Sequence, residues 1–414
     1  MWLGIFTSFI VETTVISYHR QMNMQPKKCF VTKVRRNGNN LNALVCVFLV
    51  GVFARLLAFT FPYYALASIS SDSLPEGKPL RQGACATVHG SSRLSTSAEN
   101  SRRQEAERVK EGMSYVYYIT SCPRAYDIIR ERIQFYISQD PSQAAGLIHL
   151  FFHDCFVQGC DGSIFLEMWA VSEQNAASNL NSLRSSSFHI IDNIKASLEI
   201  ACPRVVSCAD ILALATRDAI FMVGGPWMPM LSGRKDSLTA ASKETIIANI
   251  PSPAMGFMEL KHIFASKGLN VEDLVALSGG HTIGQTHCSI AASQLVPIMS
   301  SDISVSYGAN LSRICLTQEN STSSRSHLTI HLDGLTPNTF DNAFFKNVIM
   351  KQVIFHSDAA LLDDDGAAFY VHLFANNEAE FFQRFRLSFV KMSEIGVLTG
   401  NEGEVRLSCT MPNT

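Results

Sequence analysis

Charge is scarce in this chain. Asp, Glu, Lys and Arg make up 17% of 414 residues and nearly cancel, leaving a formal net charge of −2. No global field of one sign argues for a nucleic-acid partner or an acidic membrane surface. No Cys-x-x-Cys pair occurs among the eleven cysteines, which argues against zinc ribbons and thioredoxin-like redox motifs. No His-Glu-x-x-His occurs, so a zincin protease has no anchor. Regular strand alternation is missing too. What remains is a chain with 47% hydrophobic residues, enough for one large domain or two ordinary ones with a sizeable core.

The cysteines that are present fall into two groups. Cys29, Cys46 and Cys85 lie early, and eight more lie between Cys122 and Cys409. An even set of eight suits four disulfides in an oxidising compartment, against the alternative of eight buried thiols in a cytosolic enzyme. The N-terminal region bears on that choice. Residues 1–40 read as irregular, with basic residues at Lys27, Lys28, Lys33, Arg35 and Arg36, and an apolar run follows from Leu41 to Ile69. Basic residues, an apolar run and then Ala65-Leu66-Ala67-Ser68 read as a secretory signal cleaved after Ala67. Left uncleaved, the run would be a membrane anchor, although Arg55 splits it and weakens a stable span. Residues 1–67 are therefore an N-terminal extension and 68–113 a low-complexity linker poor in apolar residues. The folded domain occupies 114–414. Two sequons, Asn310-Leu311-Ser312 and Asn320-Ser321-Thr322, agree with secretion and glycosylation.

Within 114–414 the apolar spacing is helical, so the class is mainly α. A run from Cys208 to Phe221 stops at Gly224-Gly225-Pro226. Phe257, Leu260, Ile263 and Phe264 form a stripe closed by Gly268, and Asn270 reads as an N-cap for Val271 to Leu277. Asp341 to Met350 and Glu378 to Ile395 read the same way.

Two constellations carry chemistry. The first is His149-Leu-Phe-Phe-His153-Asp154-Cys155-Phe-Val157-Gln-Gly159-Cys160-Asp161-Gly-Ser163. An apolar helix before it places His149, Phe152 and His153 on one face at i, i+3 and i+4. Two such histidines can hold zinc, or the helix is buried with one functional histidine. The carboxylates and hydroxyl of Asp154, Asp161 and Ser163, with the carbonyls of Val157 and Gly159, form an oxygen set of the kind calcium takes. Cys155 and Cys160 are near enough to close the loop between them. The second constellation is Leu277-Ser-Gly-Gly-His281-Thr282-Ile-Gly284, whose glycines allow close approach of a large planar ligand or another backbone. Asp333, Thr336 and Asp341 lie downstream as another oxygen set.

Together these motifs resemble the secretory (class III) plant haem peroxidases. The resemblance runs from Tyr118-Ile-Thr-Ser-Cys-Pro to Val405-Arg-Leu-Ser-Cys409 and takes in Val206-Ser-Cys-Ala-Asp210, Gly233-Arg234-Lys-Asp236-Ser and Phe340-Asp341-Asn342. It implies a haem held between a distal and a proximal helical half, with His281 as the axial ligand of iron. Asp358 would accept the other ring N–H of His281, fixing its tautomer. His153 would be the distal base that moves the protons of hydrogen peroxide, oriented by Asn179. Phe152 would pack over the haem, and Pro251 would mark the edge where phenolic donors dock. Haem b and two calcium ions are implied. The distal calcium would use Asp154, Val157, Gly159, Asp161 and Ser163, with Glu173 reached through water. The proximal one would use Thr282, Asp333, Thr336 and Asp341. Asp210 and Arg234 would form a buried ion pair. The implied bridges are Cys122–Cys202, Cys155–Cys160, Cys208–Cys409 and Cys288–Cys315. A secreted monomer of the cell exterior, wall or vacuole is implied, using hydrogen peroxide and small phenols.

Three departures from the family pattern bear on catalysis. His149 stands where the family has an arginine whose charge stabilises the oxygen left as the O–O bond breaks. Ser142 replaces an arginine that normally reaches a haem propionate, and Ser185-Ser186-Ser187 is a small insertion after Asn179. A protonated His149 beside a neutral His153 would take over the arginine's part, the two rings titrating as a pair. The competing reading is a weakened haem-binding relative with a structural or binding role in the cell wall.

Overall fold

The computed structural model describes residues 12–15, 30–36, 39–45, 112–166, 183–296, 299–316 and 328–414. The chain divides into two units, Met1–Val88 and His89–Thr414. In the first, β1 (Glu12–Val15), β2 (Phe30–Arg36) and β3 (Asn39–Val45) form an antiparallel sheet in the order β1-β2-β3. Residues 1–40 are thus not irregular throughout, and Leu41–Val45 of the apolar run lies in a strand. Arg36 pairs with Asn39 across Asn37-Gly38, the dipeptide that favours hairpins, so the sequence held a signal for this pairing. The Ala67 cleavage site and nearly all of the 68–113 linker lie outside the described residues. Among the described residues no helix is long and apolar enough to cross a membrane.

The second unit is mainly α. Its first helices are α1 (Ala125–Gln139), α2 (Gln143–Val157), α3 (Ser185–Ala201) and α4 (Cys208–Met222). Ser207 caps α4 by accepting the N–H of Asp210, and every residue from Cys208 to Ile220 is buried. Such a helix lies at the centre of the core, and α1, α2 and α3 pack around it. Gly224 ends it with φ +105°, as the stop signal predicts. Then come α5 (Lys243–Asn249), α6 (Phe257–Ser266) and α7 (Val271–Ser278). Asn270 and Asp273 form the capping box that starts α7.

A short hairpin, β4 (Gln285–His287) with β5 (Thr329–His331), flanks α8 (Cys288–Leu295) and α9 (Val305–Cys315). The chain closes with α10 (Ala343–Ile349), α11 (His356–Ala359), α12 (Asp365–Asn376) and α13 (Glu378–Met392). Helix α7 packs on α12 and α13. A cluster of Phe340, Phe345, Phe381 and Phe385, all nearly fully buried, fills the space behind α7.

All four expected disulfides are present: Cys122–Cys202, Cys155–Cys160, Cys208–Cys409 and Cys288–Cys315. Cys208–Cys409 spans 201 residues and ties the central helix to the C-terminus. By chain entropy such a closure stabilises the fold by on the order of 4–5 kcal/mol.

Candidate active site

On α2 the i, i+4 spacing stacks His149 and His153 edge to face, ring centroids 4.5 Å apart. Phe152 lies edge-on to His153 at 5.9 Å and against Phe156 at 4.2 Å. His153 is 2% exposed. Burial among apolar side chains penalises its charged form and pushes its pKa down to about 3. His149 is also driven well below the usual histidine range, first by desolvation and then by the charges of His153, His281 and Arg184. Both rings are therefore neutral near pH 7. The surroundings of His149 thus disfavour the proton that would let it replace an arginine.

His281 sits in the 3-10 turn Gly279–Thr282 that follows α7. A side chain at Gly279 would lie 2.8 Å from the Phe345 ring, so only glycine lets this turn press onto the phenylalanine cluster. His281 Nδ1 lies 2.8 Å from Asp358 Oδ1 on α11. The carboxylate accepts the Nδ1–H and leaves the Nε2 lone pair for an external ligand. Desolvation works to lower the His281 pKa, but the charge and hydrogen bond of Asp358 prevail and raise it. Phe344 and Phe355 flank the ring edge-on at 5.9 and 5.4 Å. A Cβ at Gly280 would lie 3.8 Å from Ile148, and one at Gly284 3.3 Å from Ala145. The His281 turn therefore faces the same helix that carries His149 and His153. The donor set suits a haem: one imidazole nitrogen aimed outward by a carboxylate, aromatic flanks, and two uncharged imidazoles on the facing helix.

The sequence profile of the family described as "Peroxidase" matches residues 129–377. Peroxidase 12 of Arabidopsis thaliana is 37% identical over 323 residues, covering 78% of this chain and 88% of that protein. Peroxidase 2 of Oryza sativa subsp. indica is 40% identical over 301 residues, covering 73% and 92%. Cationic peroxidase SPC4 of Sorghum bicolor is 37% identical over 321 residues, covering 77% and 86%. The chain belongs to the plant peroxidase family. It is a haem peroxidase that uses hydrogen peroxide to oxidise small organic donors, and the weakened structural relative is not favoured.

Beyond the two histidine sites, the peroxidase holds further expected residues together. Asp154 is buried in the last turn of α2, and Asp161 and Ser163 are buried in the loop after it. Asp154 accepts the N–H of Gly162 at 3.1 Å, and Asp161 that of Ser163 at 3.0 Å. Gly159, at φ +136°, packs so closely on Gly396 that a side chain there would collide with backbone. Burial raises the Asp161 pKa against the hydrogen bonds of Ser163 and Gln158 and the charge of Arg406. The Ser163 side chain is buried beside Asp161 and favours its charged form. A buried hydroxyl beside two buried carboxylates is an oxygen set that could hold a hard cation. Among the described residues no three His, Cys, Asp or Glu side chains cluster. On the proximal side Thr282 donates to Asp341 at 3.1 Å, and Thr336 donates to Asp333 at 2.8 Å.

Asp210 and Arg234 form the expected pair at 2.9 Å, and both side chains are fully buried. Tyr118 donates to the same carboxylate at 2.6 Å. Pro251 lies half-buried in the loop after α5. Asn179 and Glu173 fall outside the described residues.

Arg184 was missed by the sequence reading. Its guanidinium donates to Ser142 Oγ at 2.9 Å and to the Ser142 carbonyl at 3.1 Å. It thus brings a cation to the end of α2 where the family arginine is replaced. The Ser185–Ser187 insertion forms the first turn of α3, and Ser186 donates to Gln143 at 2.7 Å. Nothing local in the sequence links positions 42 residues apart.

Proposed function

We propose that His281 is the axial ligand of a haem b and His153 the proton carrier for hydrogen peroxide. The His281–Asp358 hydrogen bond, set opposite a helix bearing a neutral His153, carries this reading. Bound haem would supply the redox-active iron that passes the oxidising equivalents of peroxide to donors. Asp358 keeps the proton on Nδ1 of His281, so that Nε2 stays a lone-pair donor. His153, being neutral, takes a proton from one peroxide oxygen and returns it to the departing oxygen. Asn179 would orient His153, and Phe152 would line the same face. His149 adds a second neutral ring with no fixed charge, which makes the peroxide step slow. Phenolic donors would approach near Pro251.

Two calcium ions complete the reading. Asp154, Val157, Gly159, Asp161 and Ser163, with Glu173 through water, would hold one. Thr282, Asp333, Thr336 and Asp341 would hold the other. Four disulfides, the sequon at Asn310 and the Leu41–Ile69 run with its cleavage site after Ala67 support a secreted glycoprotein monomer whose catalytic part is 114–414. Rapid mixing of the haem-loaded protein with hydrogen peroxide, followed by a phenol, tests the central assignment. A change of the Soret band that the phenol reverses is expected, and a spectrum indifferent to peroxide would sink it.

A further inference from the structure

Asp358 does not hold its position by helix propensity. Helix α11 is a single turn of four residues, His356–Ala359, with no side-chain cap. A turn this short has no stability of its own and needs outside partners. It has three. Asp358 accepts from His281, Ser357 N–H donates to the Pro253 carbonyl at 3.0 Å, and His356 Nδ1 lies 2.7 Å from Asp302 Oδ2. Asp302 is itself anchored between α8 and α9. Its N–H donates to Ser300 Oγ at 3.2 Å. Ser300 N–H donates to Gln294 O at 2.9 Å and Ser304 N–H to Lys351 O at 2.8 Å. The preceding residue, Phe355, lies edge-on to the His281 ring, so a rotation of this turn moves both neighbours of that imidazole.

We infer that Asp302 and His356 are positioning residues for the proximal imidazole: their hydrogen bond fixes the α11 turn, and the turn fixes Asp358 on His281 Nδ1. This inference rests on His281 being the axial ligand. Loosening the 302–356 contact weakens the Asp358 hydrogen bond, makes His281 a poorer electron donor and raises the reduction potential of the iron. Neither residue needs to touch haem or substrate.

The test uses the haem-loaded full chain and compares His356→Ala, Asp302→Ala, His356→Asn and Asp358→Asn. The readouts are the ferric/ferrous potential and the iron–histidine stretching band of the ferrous form. Both Ala variants should shift the potential upward and the band downward, in the direction of Asp358→Asn. Haem release should quicken by on the order of tenfold. His356→Asn, whose amide can donate in place of Nδ1, should stay near wild type. Ala variants that match wild type in both readouts, while Asp358→Asn shifts them, overturn the inference. Failure of haem uptake in the Ala variants with rescue by Asn supports it, and failure in all of the 302 and 356 variants overturns it. If Asp358→Asn also leaves both readouts unmoved, or His281→Ala keeps the band, it is the axial assignment that falls.

Discussion

His153 lies on α2 and His281 in the turn that faces that helix, and their proton affinities move in opposite directions. His153 sits on an apolar helix beside another histidine, and burial takes its pKa to about 3. His281 is desolvated as well, yet Asp358 at 2.8 Å raises its pKa. The side chain is the same, and the partner decides. One carboxylate makes a ring a strong donor with a fixed tautomer, and burial makes the other a neutral base. A peroxidase needs both states at once, and here they come from what packs on each helix.

Removing the better donor breaks this comparison most completely. His281→Ala should abolish the Soret band while the disulfide-bonded fold persists by circular dichroism, and a normal five-coordinate haem spectrum would refute the axial role. On the other half, His153→Leu should slow the reaction with hydrogen peroxide by ~10²–10⁴-fold while haem stays bound. The stopped-flow rate of the first spectral change measures it.

His149→Arg sharpens the contrast by giving the distal half a fixed charge. The same rate should rise by up to ~10²–10³-fold, the worth of one donor to a developing anion. Equal rates would mean that another cation already serves, and Arg184→Ala would then show whether it is the one lying on Ser142.

The pH profile follows from the depressed distal rings. His153 works when neutral, so the peroxide rate should be flat through neutrality and fall only as pH drops toward about 3. A fall already complete at pH 6 would show that the ring is not desolvated. The stability sign agrees. The unfolded histidines bind protons below their ordinary pKa near 6.5 while the folded rings do not. Stability is therefore fully present above that value and is lost as pH falls toward the folded pKa. The smallest effect is on the loop after His153. Chelation of calcium should lower the melting temperature by roughly 2–4 °C per kcal/mol of binding free energy lost. An unchanged melting curve and haem spectrum would remove both ions from the reading.

Much of this was legible before any coordinates. The α6 stripe, the Asn270 cap and the Gly224 stop each appear where the sequence puts them, because caps and glycines act within a few residues. Helix ends were less sharp. The stretch read from Asp341 forms helix only from Ala343, and the one read to Ile395 ends at Met392. The hairpin across Asn37-Gly38 was overlooked inside a basic cluster, although its turn signal was present.

By itself the sequence determined the mainly α class, the two histidine constellations on their helices and, through the resemblance, the family and its disulfides. These rest on short-range periodicity or on motifs that carry their chemistry in a few adjacent residues. The tertiary structure alone decided the charge states and supports of the site. It disfavoured the charged form of His149, brought Arg184 to Ser142 and set Asp302 on His356. Desolvation depends on everything packed around a ring, and each of these contacts joins residues more than 40 positions apart. No local pattern encodes either one.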